Sequence, residues 1–134
     1  MKFLPYLSFH GQANDALKFY QSVFGGHLDI QRAGELFSTN DNKTAILVVH
    51  GVLTIDEDFH ITALDVIPGA PDVQPGATVS MGLHFDDAKQ ATDIYSQLSK
   101  NGQRVIDFTP KDWGGLFGIV TDQFGVRWNI DATA

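Results

Sequence analysis

Apolar residues recur along this chain in two helical stripes that stand in register. Ala16, Phe19, Tyr20, Val23 and Phe24 stand at the spacing of one face of an α-helix. Gly25 and Gly26 follow, and glycine readily takes the left-handed conformation that ends a helix. The pattern returns as Ala91, Ile94, Tyr95 and Leu98, stopped by Asn101 and Gly102. Asp86 or Asp87 is placed to accept the free backbone N–H groups at the second start. The two stripes are copies 75 residues apart (91 − 16), with Tyr20 falling on Tyr95. The same offset carries residues 4–11 onto 79–86, a strand ahead of each helix. An internal repeat of this length outranks any local reading of secondary structure.

Strand-like segments follow each helix. The first half offers residues 28–32, 45–55 and 59–64, with Asp56, Glu57 and Asp58 as a polar turn before the last. The second offers residues 104–108, 116–121 and 126–131, with a turn from Asp122 to Gly125. The polar stretch 38–43 predicts a mobile loop. Pro68, Gly69, Pro71, Pro75 and Gly76 mark a linker. The chain therefore reads as one α+β domain of two βαβββ modules, about 1–67 and 78–134, joined by a linker at about 68–77.

Strand alternation separates two faces. Val79, Met81, Leu83 and Phe85 oppose Ser80, Gly82 and His84; Val126, Trp128 and Ile130 oppose Arg127, Asn129 and Asp131. The apolar faces are expected under the helices. The polar faces either meet solvent or line a cleft.

Composition narrows the function. At 134 residues the chain is the size of one ordinary domain, and it has no cysteine. That excludes a disulfide scaffold, a thiolate zinc site and a thiol nucleophile. A net charge of −7 repels phosphate backbones and anionic lipid, so neither nucleic acid nor membrane is an expected partner. The N-terminal apolar stretch is broken by Pro5 and Ser8 and reads as a strand, and no apolar run is long enough to span a bilayer. The expected location is the cytoplasm.

The strings PYLSFHG (5–11), ALKFYQSVFGG, LHFDD (83–87) and WGGLFGIVTDQFGVRW (113–128) resemble the PhnB-like branch of the vicinal oxygen chelate, or glyoxalase/bleomycin-resistance, superfamily. The resemblance spans nearly the whole chain. It implies two βαβββ modules forming curved mixed sheets around a cleft, and a homodimer. Metal enzymes of the superfamily place a His or Glu ligand on the first and last strand of each module. Counting from the shared motifs puts these places at Pro5 or within one residue of it, at Ser80, at Asn129 and around Ile61–Thr62, next to His60. None of Pro5, Ser80 or Asn129 is a usual ligand for a divalent ion. Metal-dependent chemistry is therefore not expected, and no cofactor is. Proteins resembling this one carry a demethylubiquinone methyltransferase label. No glycine-rich strand-to-helix turn followed by an acidic strand end supports S-adenosylmethionine chemistry here.

His10, His27, His50, His60 and His84 are scattered and form neither HxH nor HExxH spacing. His60 and His84 leave a displaced two-His metal site conceivable. His84 is the candidate acid or base, the plainer alternative being a hydrogen-bond partner for Asp86 or a backbone carbonyl. Arg127 and Asp131, flanking Asn129, either bind a carboxylate-bearing ligand or pair with each other. Trp113, beside Gly114 and Gly115, closes over an apolar ligand or packs against a dimer partner. Phe9 and Phe117 belong to core or pocket.

The pocket candidates are thus Phe9, His60, Thr62, Ser80, His84, Trp113, Phe117, Arg127 and Asn129. The leading expectation is a metal-independent protein that sequesters a small cationic or aromatic molecule. The alternatives are a lyase or isomerase using His84 or a displaced metal site, and an interaction module without a small ligand.

Overall fold

The computed structural model describes residues 1–133, and the chain forms two compact units, Met1–Val73 and Gln74 onward. In the first unit, β1 (Tyr6–Phe9) leads into helix α1 (Ala13–Phe24). Strand β2 (His27–Arg32), two short helices, α2 (Ala33–Leu36) and α3 (Asn42–Ala45), and strands β3 (Val48–Thr54) and β4 (His60–Asp65) follow. The sheet order is β1-β4-β3-β2, with β1 parallel to β4 and the other pairs antiparallel. The second unit repeats this as β5 (Met81–Phe85), α4 (Ala88–Leu98), β6 (Gln103–Pro110), β7 (Gly115–Thr121) and β8 (Arg127–Thr133), in the order β5-β8-β7-β6.

Each helix lies on the apolar face of its own sheet. Ala13, Ala16, Leu17, Tyr20 and Val23 are buried on α1, and Ala91, Ile94, Tyr95 and Leu98 on α4. Phe19 and Phe24, expected on the first stripe, sit at its edges, while Leu17 lies at its centre. The glycines Gly51 and Gly118 allow this close approach. A Cβ on Gly51 would strike Leu17 Cδ1, and one on Gly118 would lie 2.9 Å from Tyr95 Cε2 and 2.8 Å from Phe108 Cα.

Several expectations need correction. The predicted loop 38–43 is partly ordered: Asp41 accepts from Lys43 N at 3.0 Å and caps α3. The predicted strand 45–55 begins only at Val48, because α3 takes up residues through Ala45. Val79 and Ser80 precede β5 rather than joining it, and Val79 is 81% exposed.

The repeat offset is also not uniform. It is 75 between the helices but 76 between the leading strands, since Leu7 matches Leu83 and Phe9 matches Phe85. Three residues separate Phe9 from Ala13, whereas two separate Phe85 from Ala88. The cause is how each helix start is satisfied. Asp87 caps α4 from the adjacent position, accepting from Lys89 N at 2.9 Å. Gln12 gives α1 no side-chain cap; Asp65, at the end of β4, accepts instead from Ala13 N at 2.9 Å and from Val48 N at 2.9 Å. In the last two strands the offset falls to 67, Gly51 matching Gly118 and Thr62 matching Asn129. The shortfall reflects the segment carrying α2 and α3, which the second unit lacks.

Candidate functional site

The face of the second sheet turned away from α4 carries the polar positions of β5 and β8. Parallel pairing sets Gly82 beside Asn129 and His84 beside Asp131, while antiparallel pairing sets Ile119 beside Asn129 and Phe117 beside Asp131. Gly82, His84, Phe117, Asn129 and Asp131 line a hollow of about 360 Å³. A Cβ on Gly82 would meet nothing within 4 Å, so the space above Asn129 is open on that side.

His84 and Asp131 are bonded to each other. His84 Nδ1 lies 2.6 Å from Asp131 Oδ1, and its Nε2 lies 3.6 Å from Asp86 Oδ1. The hydrogen bond to Asp131, reinforced by that carboxylate's charge and by Asp86, holds the imidazole above its ordinary pKa of 6.5. A carboxylate on Nδ1 fixes the ring's orientation and leaves Nε2 to act. The expected alternative partner, Asp86, is therefore the lesser one. The expected pairing of Arg127 with Asp131 is not formed. Arg127 Nε is instead buried without a hydrogen-bond partner, as is Asn129 Oδ1, two residues further along the same face. The Asn129 amide carries both an acceptor oxygen and a donor N–H₂ at the hollow's lining.

The other candidates are distributed differently. Trp113 lies in the β6–β7 turn, 73% exposed, with its ring edge-on to Phe117 at 6.1 Å. Ser80 stands just ahead of β5 and does not line the hollow. Phe9 belongs to the core: alternation along β1 turns it to the helix side, and it is buried. His60 and Thr62 lie on β4 in the first unit, on the face away from α1, with Thr62 beside Tyr6. The pair Tyr6–Thr62 is the counterpart of Gly82–Asn129. Pro5 and Ser80, joined by the uniform offset, are not equivalent; Pro5 corresponds to Met81. Sequence reasoning passed over Gly82, whose missing side chain opens the hollow, and paired Asp131 with the wrong cation. The in-register match of LSF with LHF was the available signal.

The donor set does not fit a divalent metal. The paired strand positions hold a phenol, a hydroxyl, a bare glycine and an amide, with no imidazole or carboxylate among them. Among the described residues no three His, Asp or Glu side chains cluster as ligands would. Nor do the strand-to-helix turns suit S-adenosylmethionine. The acid at the end of β4, Asp65, is buried and both its oxygens are taken by backbone N–H groups. Among the described residues, no helix is long and apolar enough to cross a membrane.

The chain is similar to known proteins along nearly its whole length. Residues 1–131 match the family model described as 3-demethylubiquinone-9 3-methyltransferase. Protein YjdN of Escherichia coli (strain K12) is 26% identical, the match covering 98% of this chain and 95% of that protein. The crystal structure of protein PA1353 from Pseudomonas aeruginosa superposes with a TM-score of 0.84 at 26% identity, covering 99% of this chain and 98% of the other. The PhnB protein from Bacillus cereus gives 0.77 at 20% identity, over 99% and 100%. A glyoxalase/bleomycin resistance protein/dioxygenase from Nocardioides shares the fold at a TM-score of 0.60 and 12% identity, over 99% and 84%.

Proposed function

The chain belongs to the PhnB-like family of the glyoxalase/bleomycin-resistance superfamily, whose model bears the 3-demethylubiquinone-9 3-methyltransferase description, and from that premise we propose that it is a metal-independent binder of small molecules. The observation that carries this reading is the hollow on β5, β7 and β8. There a carboxylate-held imidazole, an amide and an aromatic ring converge around an open glycine. A site of a few hundred cubic ångströms with an apolar wall and a few convergent polar groups suits a small ligand. Phe117 would lie against a ring, and Asn129 would orient it. The proposal extends to a homodimer and to a cytoplasmic location.

The test is a thermal-shift screen of metabolites and antibiotics on chelator-treated protein. A ligand that binds only the folded state raises the melting temperature. The expected hit keeps its effect in chelator and loses it in Asn129→Ala and Phe117→Ala. Tightly held, stoichiometric nickel, zinc or manganese in untagged protein would defeat the proposal.

The His84–Asp131 pair favours a second reading, a lyase or isomerase with His84 as acid or base. Oriented by Asp131 at Nδ1, the imidazole has its other nitrogen available for proton transfer. Turnover would then follow one ionisation above 6.5 and vanish in His84→Ala. Full activity in that variant would remove His84 from the chemistry.

A further inference from the structure

The duplication has a second hollow, in the first unit, of opposite chemistry. By the offsets of their strands, Ser8 stands where His84 stands and Leu64 where Asp131 stands. Around Ser8 and Leu64 lies a hollow of about 410 Å³, walled chiefly by Phe37, Val49, Ile67 and Val73. Its outer wall is the segment expected to be a bare linker. His10 clasps that segment, its Nε2 lying 3.1 Å from Val73 O and 3.1 Å from Asp72 Oδ1.

We propose that this first-unit hollow is a separate binding site that takes a neutral apolar molecule, a fused ring or short alkyl chain, rather than a charged one. The lining decides the chemistry. Its one acidic side chain, Asp65, has each oxygen occupied by a backbone N–H, and one of these belongs to the first turn of α1, whose dipole favours negative charge. Asp65 therefore neither needs a cation nor welcomes an anion. Ser8 offers a single hydroxyl, and the remaining wall is aliphatic or aromatic. The volume suits a compact molecule and is too small for a helix or strand of a partner. A charged ligand would lose its hydration with nothing to replace it.

The probe is N-phenyl-1-naphthylamine, titrated by fluorescence into the intact protein. The expected result is saturable binding of one probe per chain. Affinity should fall at least tenfold in Ala70→Arg and in Val73→Asp, two changes outside the helices and strands, with circular dichroism unchanged. It should stay within twofold in His84→Ala, which alters the second-unit hollow, so this result is independent of the proposed function. Naphthalene-2-carboxamide should compete at least tenfold better than naphthalene-2-carboxylate. Non-saturable binding, unaltered affinity in both wall variants, loss in His84→Ala, or equal competition by the carboxylate would each overturn the proposal.

Discussion

Asp65, Asp122 and His84–Asp131 show how much single polar groups accomplish here. Asp65 joins the start of α1 to the sheet through two backbone N–H groups. Removing its carboxylate strands both donors in the interior, where an unsatisfied group costs about 1–3 kcal/mol. Asp65→Ala should therefore lower the unfolding free energy by about that much or more in urea denaturation. Asp122 closes the β7–β8 turn by accepting from Phe124 N, Val126 N and the indole of buried Trp128. The His84 prediction is one of pH. Its folded pKa is raised, so its stabilising contribution is complete below the unfolded value and is lost as pH rises through the folded one. A nuclear magnetic resonance titration should place His84 above 6.5 in the native protein and lower in Asp131→Asn; an unchanged midpoint would contradict the pairing.

At the scale of elements, the repeat is kept in its packing and lost in its polar faces. Tyr20 and Tyr95 occupy matching places on the helices, while on the sheets Gly118 lies against Tyr95 and its counterpart Gly51 against Leu17. The two glycines differ in what surrounds them. A methyl on Gly118 meets backbone, Phe108 Cα at 2.8 Å and Ile106 O at 3.0 Å, together with a Tyr95 ring whose hydroxyl donates to Ile106 O at 2.8 Å. Beneath α1, the tightest neighbour of Gly51 is the free end of Leu17. Gly118→Ala should cost about 1–3 kcal/mol and Gly51→Ala clearly less, because a leucine methyl moves where a paired strand does not. Equal losses in thermal unfolding would show that both sheets yield alike. Tyr95 itself stays protonated: burial raises its pKa, with Arg104 opposing and Asp107 adding.

For the molecule as a whole, an acidic chain leaves several large apolar side chains on its surface. Leu36, Phe37, Ile46 and Trp113 are all more than half exposed. Such residues support the proposed homodimer, since apolar surface of this kind gains most by being covered. Light scattering at micromolar concentration should return twice the 14.7 kDa chain mass. A monomer at that concentration would count against it.

The sequence by itself determined the duplication, the helices and most strands, because periodicity and glycine stops are local signals that the chain carries in full. It also put His84 and Asn129 on the polar faces of their strands, since alternation assigns a face to every strand residue. Only the tertiary structure decided their partners. His84 takes Asp131, 47 residues away, and α1 takes its cap from Asp65, 52 residues from Ala13. Strand register, which no local pattern states, made both choices. The same register separated Pro5 from Ser80. The proline-rich linker became the wall of a hollow because His10 holds that segment in place.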